Sequence, residues 1–411
     1  MDVCFPRCCG LDVHKRVVVA CIRLLDASGC TEMTRSFGTT VAALRELAAW
    51  VTAHGCTHVA MESTGVYWRP VYHVLEGVCT LWVVNAQHLK QVPGRKTDVR
   101  DAAWIAQLLQ YGLVRPSFVP TGAQRALRDL TRSRARRVQE RVRVINRLHK
   151  MLELGNIKLA AVISDITGKT GRAILDGLVA GVTDVVALAN RAVGRARVKR
   201  AELAEALAGT VTPTQRLVLQ ELLTQLDQVD ASIGRYSAAV VERTAAWSAA
   251  FARLQTIPGV GQRLAEVILA EVGIEELATR FPTAARLVAW AGLCPGLAES
   301  AGKRRATRTR PGNPWLKQAL IEAAQAAARS QTYLGARYHR IARRRGRKKA
   351  IIAIAHSLLE IAYYVLTREE DYRDLGANYF DERDRQAVTH RMVRRLQNLG
   401  YEVTLTVAEA A

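Results

Sequence analysis

No uninterrupted apolar run in this sequence approaches the roughly 18 residues that a membrane-spanning helix requires, so no membrane partner is expected. The first nine residues hold Cys4, Pro6, Arg7, Cys8 and Cys9, which is not the make-up of a secretory leader. None of the eight cysteines (Cys4, Cys8, Cys9, Cys21, Cys30, Cys56, Cys79, Cys294) stands in a C-x-x-C pair, and seven fall within the first 79 residues. That pattern disfavours a zinc site and points to buried free thiols in a reducing cytoplasm. Acid is scarce as well: 37 Asp and Glu face 59 Lys and Arg, a formal net charge of +22. The scarcity is local. Residues 123–150 carry ten basic residues against two acids, and residues 303–349 carry fifteen against one. Neither stretch interleaves acids for pairing along a helix surface. Concentrated basic stripes of this kind are the footprint of a polyphosphate partner, here a nucleic acid.

What is present is ample apolar material, 49% of 411 residues, enough for two or more domains with proper cores. The most informative stretch is Gly10-Leu11-Asp12-Val13-His14-Lys15, followed by Val17-Val18-Val19-Ala20-Cys21-Ile22. It reads as buried strand, rich in β-branched residues. A carboxylate buried in such a run must be paired or hold a metal, unless Asp12 merely occupies a hairpin turn.

From Cys8 to about Phe37 the pattern predicts three short strands, the second turn being Asp26-Ala27-Ser28-Gly29. Thr40 then caps a helix with Leu44, Leu47, Ala48 and Val51 on its apolar face. A fourth strand, Thr57–Met61, runs into Glu62-Ser63-Thr64-Gly65, and a fifth, Thr80–Val84, ends at Asn85. A helix follows over 96–109, with Thr97 or Asp98 near its N-cap. The order β-β-β-α-β-α-β-α puts Asp12 in the first strand, Glu62 at the carboxyl end of the fourth, and Asp98 and Asp101 on one helix face. Sites in open α/β sheets form at the carboxyl ends of strands. Four convergent carboxylates cannot all stay ionised without cations. Two Mg²⁺ or Mn²⁺ ions about 3.5–4 Å apart would suit both the oxygen ligands and phosphate chemistry. Taken singly, Glu62 can be a surface acid and Asp98 a simple cap. Together they form the ribonuclease-H-like pattern found in Holliday-junction resolvases.

Residues 123–155 read as one long basic helix with Leu127, Leu130, Val138, Val142, Ile145, Leu148 and Leu152 along an apolar seam. Arg132, Arg134, Arg136, Arg137, Arg141 and Arg143 decorate it. Residues 156–214 suggest only short helices. Leu219, Leu222, Leu226, Val229, Ile233, Tyr236 and Val240 then step 3-4-3-4-3-4, a coiled-coil signature whose partner lies in the same chain or in another protomer. Ile257-Pro258-Gly259-Val260-Gly261 is a helix-hairpin-helix signal, in which Gly259 and Gly261 would bring backbone N–H groups to a phosphate. An ordinary helix–helix turn has the same residues.

The stretch 290–315 nearly imitates a P-loop. Gly296 to Gly302 is one residue too long, and no Ser or Thr follows Lys303, so ATP use is unsupported. What remains is a flexible loop in which Ser300 precedes Lys303, Arg304 and Arg305, with Arg308, Arg310 and Asn313 close behind. Ser300 can be a phosphate contact or a nucleophile towards phosphorus.

GLDVHK, MESTG and KTDVRDAAWIAQLL, with IPGVG, AWAGLCPG, ESAGKRR, RPGNPWLKQALIEAA and the tail around Tyr372-Arg373-Asp374-Leu375-Gly376, resemble in their order the DEDD/serine insertion-sequence transposases. That family is described as bridge-RNA-guided recombinases, and the resemblance spans nearly the whole chain. It implies that Asp12, Glu62, Asp98 and Asp101 ligate metal and that Ser300 attacks DNA to form a phosphoserine intermediate. It also implies a homo-oligomer, dimer or tetramer, in which domains of different protomers build one active site. A structured noncoding guide RNA would select donor and target DNA in the bacterial cytoplasm, at the nucleoid. Ala301 stands where many relatives carry glycine.

The expected architecture is α/β followed by α. A ribonuclease-H-like domain (1–114) leads into a helical coiled-coil region (115–250), a mostly helical transposase domain with helix-hairpin-helix and serine loop (251–366), and a tail (367–411). The leading functional expectation is a Mg²⁺-dependent recombinase. The alternatives are a structure-selective endonuclease with water as nucleophile, and an architectural DNA- or RNA-binding protein.

Overall fold

The computed structural model describes residues 2–27, 29–63, 65–85, 101–296, 299–300, 302–304 and 308–406, with the backbone alone at 299, 300, 303 and 304. Strands β1 (Arg7–Val13), β2 (Val17–Asp26) and β3 (Gly29–Gly38) form an antiparallel meander. Strand β4 (His58–Glu62) pairs parallel to β1, and β5 (Thr80–Val84) parallel to β4. The sheet order is therefore 3-2-1-4-5. Helix α1 (Val41–Ala53), capped by the Thr40 side chain, and α2 (Trp68–Leu75) connect the later strands, and α3 (Asp101–Gln110) follows β5.

Side-chain alternation along β1 explains why its sequence is apolar on both faces. Cys9, Leu11 and Val13 join Leu44, Leu47, Val51, Val71 and Leu75 in one core layer. Cys8 faces the other way, with Ile105, Leu108 and Leu109 of α3. Gly10 shares that second face. A Cβ there would collide with Ala102 O and Ala106 N, so only glycine lets α3 lie this close to β1. All eight cysteines are free thiols, and burial pushes Cys8 up to about 12 and Cys56 to about 11.

The chain divides into two compact units, Met1–Pro120 and Thr121–Ala411. The first boundary falls six residues beyond the expected 114, and the three further segments read from the sequence make up one unit. Its long basic helix is α4 (Gly122–Leu154), capped by Thr121, and its heptad helix is α5 (Pro213–Thr244), opened by a Thr212–Gln215 capping box. They run antiparallel. Leu127 packs with Val240, Leu148 and Leu152 with Leu219, Leu222 and Leu226, and Arg141 reaches Asp230 at 2.6 Å. The heptad seam thus meets a partner in the same chain. Val138 and Val142 depart from the expected seam: they are 45% and 50% exposed.

Helices α6 (Ser248–Gln255), α7 (Gln262–Val272), α8 (Ala284–Trp290), α9 (Pro314–Ala327), α10 (Tyr333–Arg345) and α11 (Arg347–Arg368) share one further core. Helix α11 is the longest of these at 22 residues. Although His356 and Glu360 interrupt its apolar sequence, it is long and apolar enough on average to cross a membrane. Its Ile354, Leu358, Leu359 and Leu366 are instead core partners of Leu264, Leu316 and Leu320.

Candidate functional site

Register decides where the acids stand. Leu11 pairs with Met61 across the parallel β1–β4 ladder, so the next residues, Asp12 and Glu62, are lateral neighbours at the carboxyl ends of their strands. Asp12 follows Gly10 by two, and Glu62 follows Ala60 by two, so both share the sheet face covered by α3. That helix runs antiparallel to β1. Its last residue, Gln110, accepts from the Phe5 N–H at 3.1 Å, while Ala102 and Ala106 lie over Gly10. Its first residue, Asp101, therefore comes to the same end as Asp12, with Oδ1 out of solvent.

Three of the four expected acids are thus on one face at one sheet end. Among the described residues, no three Asp, Glu, His or Cys side chains draw together as a ready metal-binding group. Asp98 lies outside the described residues. Carboxylate oxygens are the donors that hard divalent cations take, so the chemistry of this set fits Mg²⁺ or Mn²⁺. A residue without a role in the sequence reading joins them: His14 Nε2 lies 2.9 Å from Asp12 Oδ2, just past the end of β1. The signal was its spacing, two residues from Asp12 across a strand end.

The described parts of the serine stretch pair as a hairpin. The Gly296 N–H donates to Arg308 O at 3.0 Å and the Arg310 N–H to Cys294 O at 3.3 Å. Further out, β6 (Glu299–Ser300) pairs with β7 (Lys303–Arg304), Ser300 opposite Lys303, and Gly302 takes the positive φ of 73° in the turn. Ser300 thus stands at the hairpin tip, and Arg305 lies outside the described residues. At the base, Gly292 and Gly312 meet backbone to backbone, leaving no room for a side chain on either.

Asn313 secures that base. Its side-chain oxygen accepts from the Trp315 and Leu316 N–H groups, capping α9, and its Nδ2 donates to Glu271 Oε2 at 2.7 Å. Both ends of the amide are engaged and the residue is 9% exposed, so the expected nucleic-acid contact is corrected to a structural tie.

The first basic stripe needs a similar correction. Arg132 grips Glu271 with two bonds of 2.7 Å, and Arg128 donates to the Ala270 and Glu271 carbonyls. Arg134, 5% exposed, pairs with the fully buried Glu266 at 2.5 Å. Burial pulls the Arg134 guanidinium below its ordinary value, and the Glu266 charge opposes that shift. Arg137 bonds Glu140, Arg141 bonds Asp230, and Arg136 lies over the Trp315 ring at 5.5 Å. Helices α4 and α7 are therefore clamped by charge, with Arg132 engaged by Glu271 and Arg134 by Glu266. Arg308 and Arg310, by contrast, are exposed.

The two glycines of the Ile257–Gly261 turn differ. Gly259 has φ 87°, and a Cβ on it would sit 2.6 Å from Ala323 O, so packing against α9 accounts for it. Gly261 precedes α7 in open space.

Comparison with known proteins covers both regions. Residues 9–157 match the family model DEDD_Tnp_IS110, described as a transposase, and residues 251–340 match that of the transposase IS116/IS110/IS902 family. The chain is similar to the transposase for insertion sequence element IS1111A of Coxiella burnetii, 27% identical over 381 residues, which is 89% of this chain and 90% of that protein. The carboxylates fall within the first match and the serine hairpin within the second, and the chain is an insertion-sequence transposase of the IS110 family.

Proposed function

We propose that this transposase is a DNA recombinase that combines a four-carboxylate site for Mg²⁺ or Mn²⁺ with a serine nucleophile. The placement of Asp12, Glu62 and Asp101 on one sheet face, toward the carboxyl ends of β1 and β4, carries the reading. The 3-2-1-4-5 order, antiparallel then parallel, supports a ribonuclease-H-like fold for this unit. Asp12, Glu62, Asp98 and Asp101 would hold the cation, which when bound polarises the scissile phosphate. His14 steadies the Asp12 carboxylate. Ser300 Oγ forms the new bond to phosphorus while one phosphorus–deoxyribose oxygen bond breaks. The departing oxygen takes up a proton and leaves as a free hydroxyl. Lys303, Arg304 and Arg305 follow Ser300 in sequence and, with exposed Arg308 and Arg310, balance phosphate charge.

Supported by the family resemblance, a structured noncoding RNA chooses the donor and target DNA, and a dimer or tetramer supplies the acids and Ser300 to one site. The antiparallel α4–α5 pair is read as a coiled coil. The Ile257–Gly261 turn is read as a helix-hairpin-helix whose open contact is at Gly261.

The test is a denaturing-gel search for a covalent protein–DNA adduct, using protein with its co-purified RNA, Mg²⁺ and candidate duplex. Adduct in the wild type and none in Ser300→Ala or Asp12→Ala is the expected result. Mg²⁺-dependent cleavage without adduct would leave a nuclease using water and make Ser300 a phosphate contact.

A further inference from the structure

Helix α10 and the tail build a cavity that the proposed chemistry does not use. It holds about 430 Å³ and is lined by Tyr333, Arg337, Arg340, Ile341, Arg344, Arg345 and Phe380, the last on the short helix α12 (Tyr379–Arg383). The Tyr333 and Phe380 rings are stacked, with centroids 5.3 Å apart and planes 22° apart, and Tyr379 stands edge-on to both. The Arg340 guanidinium lies 5.0 Å over the Phe380 ring. Arg337, Arg340 and Arg344 recur at helical spacing, so they face the cavity together.

None of the four lining arginines has an ion-pair partner among the described residues. The acids nearby are otherwise placed. Asp374 accepts from the Tyr333 N–H at 3.2 Å, the Gly376 N–H at 3.0 Å and the Tyr372 hydroxyl at 3.1 Å. Asp381 and Glu382, beside Phe380, form no ion pair with these arginines among the described residues. Arg344 and Arg345 gain from the negative end of α10, but Arg337 and Arg340 lie mid-helix and do not. Cations converging on an aromatic platform, with no ion pair of their own among the described residues, form the arrangement that binds unpaired bases: the ring takes the base face and the guanidinium groups take the phosphates. The volume falls in the range of small-ligand sites, roughly 300–1,000 Å³.

We infer that this cavity binds an unpaired nucleotide of a single strand, its base stacked on the Tyr333–Phe380 platform and its phosphates on Arg337, Arg340 and Arg344. A duplex keeps its bases in the stack and does not present such a face. The inference rests on the nucleic-acid reading above and is independent of Ser300 and the carboxylates.

Full-length protein would be photo-crosslinked to short RNA and DNA single strands carrying 5-iodouracil, and to the matching duplexes, with adducts mapped by peptide mass spectrometry. Adducts on Tyr333 or Phe380 with single strands, and few with duplex, are the expected result; labelling by RNA alone or DNA alone identifies the strand. Phe380→Leu should weaken single-strand binding by roughly tenfold, the loss of one stacked base. Arg337→Gln and Arg344→Gln, which leave the platform in place, should also weaken it without lowering the melting temperature. Adducts confined to other residues would overturn the inference and leave nucleic-acid binding standing. Failure to bind any strand or duplex would remove both.

Discussion

The two basic stripes look alike in sequence and behave differently in the fold. On α4, Arg128, Arg132, Arg134 and Arg141 meet carboxylates or carbonyls contributed by α5 and α7, 89 to 143 residues away. On α10, Arg337, Arg340, Arg344 and Arg345 meet none among the described residues, and a cavity opens beside them. One stripe serves in part as an internal clamp and the other faces outward. Net charge counts cations, whereas availability to a partner depends on which acids the fold brings to them.

The comparison breaks most sharply at Glu266. Glu266→Ala leaves Arg134 buried and uncompensated, and should cost about 3–5 kcal/mol in denaturant unfolding. A change below 1 kcal/mol would mean that the α4 clamp is solvated and that the two stripes are alike after all. At the outward stripe the expected effects are reversed. Arg344→Gln should change stability by no more than about 0.5 kcal/mol. It should reduce the slope of log binding constant against log salt by about 1 if that guanidinium holds a phosphate. An unchanged slope, measured by fluorescence anisotropy across a salt series, would remove Arg344 from the contact set.

The smallest effect concerns a pair that resembles the clamp but is half-exposed. Arg172 bonds Asp227 through both guanidinium nitrogens, and this bond holds the Asp227 carboxyl below its ordinary value. A depressed folded value means that the stabilisation is present at neutral pH and is lost as pH falls through the acid range below about 4. Wild type and Asp227→Asn should therefore differ by about 1 kcal/mol or less at pH 7 and converge at low pH. A difference that persists at low pH would assign the effect to packing.

Much of the first unit was legible because its signals are local. Alternating and β-branched runs showed three strands between Cys8 and about Phe37, though two of them are longer than expected, and placed the fourth and fifth within a residue; Thr40 marked the start of α1. Asp12 stood out because a carboxylate is costly in such a run. The long helices were legible from heptad spacing. What could not be read were pairings set by tertiary approach. Nothing near Arg134 in sequence announces Glu266, and nothing near Asn313 announces Glu271. The serine hairpin escaped because its strands are short and polar, without alternation, and only Gly302 marks the turn. Gly259 fits a phosphate-binding turn and a tight helix contact equally well in sequence, and its close approach to Ala323 is set by the fold.

The absence of a side chain at Gly10 has a consequence for how variants of this protein will be read. Helix α3 rests on β1 through the hydrogen atoms of that residue, and Asp101 rides on the first turn of the same helix. A methyl group at position 10 would wedge the helix away from the sheet and carry Asp101 off from Asp12 and Glu62. Such a variant would keep every acid and Ser300 yet mimic the loss of one of them, a spacing defect presenting as a chemical one.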